Sequence, residues 1–369
     1  MKQDNILKSI ISRAEKIFRN NIKGLFLFLF ALTIHLGFSL IFILRHSLHK
    51  FANIYDAGIF ISIAKNGYTF HGSFAMYPLF PLTIKMLTFI TNDYDLSSVI
   101  LAPFFSALST FIFYKISLIK SKNPLLISFM FTLTLYPWLI TSSIPYSEPL
   151  YMVLLLTSFY YYIKDNPLKA GIAAALATLT RATGVLLAIP MVYKSIKNKD
   201  KKYILASLFP LLTIVFLYTY FYALTGDFFI TFKVEREWAS DVKDHGTYII
   251  YPFYFLFYFA KYALFTPNYW RIILVFIAYT YALLKLRKDI PIMLYNIPTY
   301  MLLISLSPFP IFWFGLDRLL IPIFPVLFAY EEYLSKKVWW SKGLIITLII
   351  LSFLQAFRIV ERWCMMLKL

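Results

Sequence analysis

The chain has 369 residues and a net charge of +18; 60% of its residues are hydrophobic, 20% are aromatic and only 15% are charged. Soluble domains carry about a quarter charged residues, so this composition excludes an ordinary soluble protein and favours an all-α polytopic membrane protein. The positive charge does not indicate nucleic-acid binding, because the basic residues cluster at the ends of apolar segments, as membrane topology requires.

The N-terminal segment, residues 1–24, is rich in Lys and Arg, which predicts that it is cytoplasmic. A hydrophobic helix predicted at residues 25–44 then leads outward into a first outer loop at residues 45–98. Within that loop, the apolar run at residues 82–90 is too short to cross a hydrocarbon core of ~30 Å. We therefore predict a juxtamembrane helix on the outer face.

The segment at residues 170–192 is apolar but has basic residues beyond both of its ends, so both ends are expected in the cytoplasm. This pattern predicts a re-entrant pair of half-helices with Arg181 at the tip, where the backbone must be buried in protein or line a polar cavity. Simple crossings are predicted around it, at residues 99–118, 125–141, 150–163 and 203–223.

A second outer loop is predicted at residues 225–248. The aromatic run at residues 249–265 is expected at the outer interface, because the next helix must lead inward to Lys285. Asp317 and Arg318 are expected on the outer side. The remaining helices are predicted at residues 270–284, 291–305, 319–334 and 344–357, giving one domain over residues 1–369 with about 9–12 hydrophobic helices.

The first outer loop contains a distinctive motif. Asp56 is followed by Ile-Ala-Lys-Asn-Gly-Tyr at residues 63–68 and by Tyr-Pro-Leu-Phe-Pro at residues 77–81. This pattern resembles the first luminal loop of the second GPI mannosyltransferase, the PIG-V family, and of its prokaryotic homologues. Further segments resemble that family in the same order: Tyr146-Ser147-Glu148, Arg181 with Gly184, Gly226-Asp227 with Trp238, and Arg318 with Pro322 and Pro325.

The resemblance implies a GT-C glycosyltransferase that takes a sugar, in this family mannose, from a polyprenyl-phosphate donor on the outer or luminal face. It also implies a GT-C-like bundle whose large first outer loop carries juxtamembrane helices. The chain departs from the family in its second loop. Glu235 stands where the prokaryotic relatives usually have Gln, and Phe228 follows the Gly-Asp pair, where they have a small residue or Pro.

Inverting sugar transfer needs a base for the acceptor hydroxyl and positive charge at the departing phosphate. The resemblance favours Asp56 as the base, whereas its sequence context alone favours an N-cap of the following helix. A charge within the membrane is energetically costly, so Arg181 is expected to have a role. It is either a candidate phosphate ligand or the partner of Glu148 in a structural salt bridge. Arg318 is a second candidate ligand of the phosphate; alternatively, it forms an interfacial ion pair with Asp317. His71 is a third candidate ligand of the phosphate; alternatively, it is a solvated loop histidine.

Acceptor binding and support are predicted for a further set of side chains: Tyr68, Tyr146, Glu148, Asp227 and Trp238. The alternative for Glu148 is a loop-capping carboxylate, and for Asp227 and Trp238 it is simple loop packing. No cofactor is expected, because Cys364 is the single cysteine and the five histidines are scattered; a divalent ion shared by Asp56 and Glu148 stays open.

The predicted partners are a polyprenyl-phosphate sugar, a lipid or glycan acceptor and membrane lipids. The predicted location is the cell membrane in a prokaryote or the endoplasmic reticulum in a eukaryote. Two other functions stay open, a lipid-linked sugar flippase or transporter and a non-catalytic membrane scaffold. A solute carrier more often keeps its ionisable groups on broken helices at mid-membrane in two related halves, and the chain shows no such repeat.

Overall fold

The computed structural model describes residues 2–240, 270–305, 326–335 and 339–366. Throughout these ranges every regular element is helical, with 16 α-helices and two short 3₁₀ helices. The predicted all-α polytopic class is confirmed. The aromatic run at residues 249–265, Asp317 and Arg318 lie outside the described residues.

The helices of the first half include the short ones of the first predicted outer loop. They are α1 (Lys2–His46), α2 (Leu48–Ala52), α3 (Asp56–Asn66), the first 3₁₀ helix (His71–Ala75), α4 (Leu79–Thr91), α5 (Tyr94–Lys120), α6 (Pro124–Leu133), α7 (Tyr136–Ser143) and α8 (Glu148–Ile163).

The second half begins with a broken pair of helices and ends with a long one. Its elements are α9 (Pro167–Thr178), the second 3₁₀ helix (Ala182–Leu187), α10 (Ala188–Asn198), α11 (Lys201–Thr225), α12 (Ile230–Ser240), α13 (Trp270–Lys285), α14 (Ile290–Ser305), α15 (Val326–Leu334) and α16 (Trp339–Met366).

Four helices in the described part of the chain are long and apolar enough to cross a membrane, and a bent pair, α6 with α7, makes up to five. The four are Phe18–His46 within α1, α5, α11 and Ser341–Met366 within α16. The predicted total of about 9–12 hydrophobic helices includes shorter ones of 16 residues, such as α8, α13 and α14. How many of these cross stays a prediction.

The prediction of a single helix at residues 125–141 is wrong. The structure has two helices there, α6 and α7, whose axes differ by 69°. The bend has a local cause, because Pro137 lies in the first turn of α7. A proline has no N–H to bond the carbonyl four residues earlier and its ring crowds that carbonyl, so one unbroken helix through this position is disfavoured. The hydroxyl of Ser352 in α16 donates a hydrogen bond to the carbonyl of Thr134 at 2.6 Å, and the hydroxyl of Ser39 in α1 donates to the carbonyl of Ser143 at 2.7 Å.

A short helix was predicted at residues 82–90, and α4 confirms it. Its 13 residues span only about 20 Å at 1.5 Å per residue. Leu82, Met86, Phe89 and Ile90 are exposed, so this helix presents an apolar face to its surroundings. That this face lies at the outer interface stays a prediction.

The chain breaks at Arg181, where the re-entrant tip was predicted. Arg181 is extended, with φ −156° and ψ 143°, between α9 and the second 3₁₀ helix. Gly184 permits the close return, because an added Cβ would lie 2.4 Å from the backbone nitrogen of Thr178. The 3₁₀ helix therefore packs directly on the end of α9. That the helical segments before and after Arg181 form a re-entrant pair in a membrane stays a prediction.

The predicted second outer loop begins with a helix. Gly226, with φ +73°, ends α11, and α12 then folds back onto the first 3₁₀ helix. Ile230 and Val234, one turn apart, are buried against Phe74, and the hydroxyl of Thr231 donates to the carbonyl of Phe74 at 2.9 Å. The two outer loops are therefore packed against each other.

Candidate functional site

An ion pair forms the centre of the candidate site. Nη1 of Arg181 lies 3.0 Å from Oε1 of Glu148, and the Glu148 side chain is only 2% exposed, against 22% for Arg181. The same nitrogen donates to Oγ of Ser147 at 3.4 Å. Glu148 is the first residue of α8, where the helix dipole favours a negative charge. The predicted salt-bridge partner of Arg181 is therefore present, and Glu148 is buried rather than part of an exposed loop.

The Tyr-Pro motif of the first loop lies against the Arg181 turn. The backbone N–H of Leu79, which is two residues after Tyr77, donates to the carbonyl of Leu179 at 3.0 Å. Leu179 is two residues before Arg181. The hydroxyl of Tyr77 is 3.1 Å from that of Tyr218 in α11. Three segments that are distant in the sequence thus line one cleft, which we call the Arg181 cleft.

A chain of hydroxyl groups connects the segment after Arg181 to α8 and α14. The hydroxyl of Thr183 donates to that of Tyr151 in α8 at 3.1 Å, and the Tyr151 hydroxyl is 2.8 Å from that of Tyr295 in α14. Both tyrosines interact electrostatically with Arg181. This chain connects the second 3₁₀ helix to two neighbouring helices and restricts the direction in which Arg181 points.

A second carboxylate, Glu235 of α12, interacts electrostatically with Arg181. The side chain of Glu235 is exposed, yet the protein around it desolvates the carboxyl. Desolvation raises the pKa of Glu235 to about 7, although the positive charge of Arg181 lowers it. Burial, Tyr218 and Glu235 in turn raise the pKa of the Tyr77 hydroxyl. Glu235 was noted from the sequence only as a departure from a family pattern, and no sequence signal indicated this interaction.

Asp56 is the first residue of α3 and does not cap it. The cap position belongs to Tyr55, whose φ is +45° and whose side chain makes no capping bond. The N-cap interpretation of Asp56 is therefore wrong. The adjacent Ala57 is buried in the same large apolar core as Tyr146.

Two other predicted site residues make ion pairs away from the Arg181–Glu148 pair. His71 lies 2.7 Å from Glu237, with both side chains more than half exposed. Asp227 pairs with Lys233 and accepts the N–H of Phe229 at 3.0 Å; both contacts lower the pKa of its carboxyl. His71 therefore bridges the first 3₁₀ helix to α12, and Asp227 caps the start of α12.

Two of the aromatic candidates, Tyr68 and Tyr146, have packing roles. The Tyr68 hydroxyl donates to the carbonyl of Met76 at 2.9 Å, and its ring packs 4.9 Å from that of Phe221. Tyr146 is buried. Trp238 lies within α12, and its role stays a prediction.

Metal ligands do not gather in the described ranges: no group of three or more His, Cys, Asp and Glu side chains occurs there. The sequence has an Asp-x-Asp spacing at Asp93-Tyr94-Asp95, an arrangement that many nucleotide-sugar transferases use for a metal. Asp93 caps α5 by accepting the N–H of Asp95 at 2.8 Å. Asp95 lies 2.6 Å from Nδ1 of His49. Both carboxylates therefore have structural partners.

The Arg181 cleft combines a guanidinium and two phenol hydroxyls. A partly exposed guanidinium among hydroxyl donors is suited to an anionic oxygen, above all to phosphate. Comparison of the chain with protein families and with curated proteins finds no match.

Proposed function

We propose that the protein is a GT-C-type membrane glycosyltransferase, most similar in its motifs to the PIG-V family. It transfers a sugar, mannose by that resemblance, from a polyprenyl phosphate to a lipid or glycan acceptor on the outer or luminal face. The observation that carries the proposal is the Arg181–Glu148 ion pair beside Tyr77. It unites three of the motif segments on which the resemblance depends.

The chemistry assigns a role to each charged group. The acceptor hydroxyl attacks the anomeric carbon, and the bond from that carbon to the phosphate oxygen breaks with inversion. Asp56 takes the hydroxyl proton, and the departing polyprenyl phosphate keeps the bonding electron pair. Arg181 stabilises the negative charge that develops on the phosphate. Buried Glu148 holds the guanidinium in place, since a carboxylate and an arginine fix each other's geometry.

The architecture is compatible with a donor that enters from the lipid phase. Several long apolar helices support a multi-pass membrane location. The exposed apolar face of α4 begins immediately after the Tyr77-Pro78 segment of the cleft. A polyprenyl chain in the bilayer could thus bring its phosphate to Arg181 without leaving an apolar environment.

The test is transfer by purified protein in lipid nanodiscs, supplied with radiolabelled polyprenyl-phosphate mannose and a membrane extract. We expect label in a lipid or glycan product with the wild type and not with Asp56→Asn. Arg19→Gln, at an exposed position of α1, is the control and should transfer normally. Absence of transfer by the wild type to any acceptor would refute the proposal for this donor. Movement of donor across liposomes without transfer would support a flippase instead.

A further inference from the structure

The backbone is strained at the residue directly before the candidate base. Tyr55 has φ +45° and ψ −119°, a conformation that a bulky residue rarely adopts. Such a conformation persists only where the surrounding structure holds it. Because the peptide between Tyr55 and Asp56 leads into α3, a change in these two angles would swing the Asp56 carboxylate to another position. The position of Asp56 therefore depends on the contacts that hold Tyr55.

The last turns of α16 supply such contacts. The Tyr55 ring meets the ring of Trp363 edge-on, with the two centroids 5.5 Å apart, and its hydroxyl donates to Sδ of Met366 at 3.7 Å. Edge-to-face ring pairs at this distance attract each other. Tyr55 is 48% exposed, so α16 restrains a ring that the protein only partly encloses.

The end of α16 is itself anchored beside the start of the first loop. Glu361 accepts hydrogen bonds from Nε of Arg45 at 3.2 Å and from Nη2 at 2.9 Å, and it lies 3.0 Å from Nε2 of His46. A bidentate pair of carboxylate and guanidinium fixes orientation as well as distance. Cys364 is fully buried in the core that contains Ala57. The last turns of α1 and α16 therefore lie side by side, and Trp363 has a firm support.

Trp363 also contacts the segment that carries Glu148. Its ring centroid is 6.5 Å from that of the buried Tyr146, which is two residues before Glu148. Glu148 in turn pairs with Arg181 at 3.0 Å. The indole of Trp363 therefore connects the strained turn at Tyr55 to the segment that holds the candidate phosphate ligand.

We propose that Trp363 is a positioning residue, which holds the Tyr55 turn and thereby sets where the Asp56 carboxylate stands relative to Arg181. The inference rests on the proposed function, because it assumes that Asp56 is the base. Inversion requires the base and the phosphate ligand to act on opposite sides of the anomeric carbon, so their relative placement limits the rate. Loss of the Trp363 contact lets the turn relax and misplaces Asp56, while the donor phosphate is still bound by Arg181.

The experiment measures kcat and the donor dissociation constant in nanodiscs for Trp363→Ala, Tyr55→Gly and the double variant. Trp363→Ala should lower kcat about 100-fold, the effect of misplacing a reacting group by about 1 Å, and leave the donor dissociation constant unchanged. Glycine accepts a positive φ but lacks the ring, so Tyr55→Gly should lower kcat by a similar factor. Because both changes remove one contact, the double variant should be no slower than the slower single variant.

Two conservative variants keep the ring contact and should restore most of kcat, namely Trp363→Phe and Tyr55→Phe. The matched control is Phe353→Ala, which removes another ring of α16, one that packs 6.2 Å from the ring of Phe38. Phe353 lies about 15 Å before Trp363 along the helix. Phe353→Ala should lower the melting temperature and leave kcat unchanged.

The inference is overturned if either single variant keeps the wild-type kcat, if the two losses multiply in the double variant, or if Phe353→Ala slows transfer as much as Trp363→Ala. An increased donor dissociation constant with an unchanged kcat would also overturn it. If Trp363→Ala does not fold, the comparison of Tyr55→Gly with Tyr55→Phe decides, and equal kcat values for these two overturn the inference. Failure of the wild type to transfer to any acceptor would instead refute the proposed function.

Discussion

The amide of Leu79 donates a hydrogen bond to the carbonyl of Leu179 at 3.0 Å, although the two residues lie in different motif segments of the chain. This bond joins the Tyr77-Pro78 segment of the first predicted outer loop to the turn that carries Arg181. It explains how a phenol and a guanidinium from separate segments come to lie in one region.

Glu148→Gln should destabilise the protein, because it leaves the Arg181 charge without its buried partner. Breaking a fully buried pair costs about 3–5 kcal/mol; since Arg181 is 22% exposed, we expect about 2 kcal/mol. Thermal unfolding in detergent measures this. The control is Glu332→Gln, which breaks a pair of Lys285 with a 70% exposed carboxylate and should cost less than about 1 kcal/mol. Equal losses in the two variants would contradict a structural role for the buried pair.

Arg181→Lys tests whether the guanidinium itself is needed. The lysine keeps the charge but loses the planar guanidinium. Nη1 of that group contacts both Glu148 and Ser147, and its further N–H donors have the fixed geometry for phosphate that an ammonium lacks. We expect transfer to slow by about 100-fold, since removing one oriented donor to a developing oxyanion has effects of that size. Steady-state kinetics with the polyprenyl-phosphate donor measures it. A lysine variant with wild-type kinetics would show that charge alone suffices.

Gly184→Ala should destabilise the tight packing of the second 3₁₀ helix against the end of α9. The added methyl would lie 2.4 Å from the backbone nitrogen of Thr178, and backbone cannot move aside as a flexible side chain can. Overpacking of this kind costs about 1–3 kcal/mol. Gly37→Ala in α1, where a Cβ meets nothing within 4 Å, is the matched control and should be neutral or stabilising. Similar melting temperatures for the two variants would rule out the tight packing.

His35→Leu should leave the protein as stable or make it more stable. Both ring nitrogens of His35 are buried and lack a hydrogen-bond partner within the described residues. An unsatisfied buried polar group costs about 1–3 kcal/mol, and leucine has a similar volume. By contrast, Ser39→Ala, one turn further along α1, removes the bond to the Ser143 carbonyl and should destabilise by about 1 kcal/mol. A lower melting temperature for His35→Leu would indicate a partner for this imidazole.

Sequence patterns predicted the features that depend on local composition. The apolar length and proline content around residues 79–91 predicted a short separate helix, and the structure has α4 there. The basic residues beyond both ends of residues 170–192 predicted a break at Arg181, and the isolated charge there left a salt bridge to Glu148 as one of two alternatives; the break and the salt bridge both occur. The catalytic role of Asp56 and the phosphate role of Arg181 stay predictions.

Other features depend on tertiary contacts that composition does not encode. Hydropathy did not reveal the bend at 69° within residues 125–141, because that stretch is equally apolar as one helix or two; the local signal for the bend was Pro137. The start of the second outer loop was taken as irregular because it is polar, yet Ile230 and Val234 give α12 a buried side against Phe74. No sequence pattern indicated that Glu235 interacts electrostatically with Arg181.

The bend between α6 and α7 has a consequence for the order in which the chain matures. Carbonyls freed at a bend within an apolar bundle must find donors elsewhere. At Thr134 the donor is Ser352, which belongs to α16 and is synthesised more than 200 residues after the bent pair. The bent pair can therefore complete this hydrogen bond only once α16 has been made. Synthesis that stops before α16 should leave an immature core around Trp138, a target for membrane quality control.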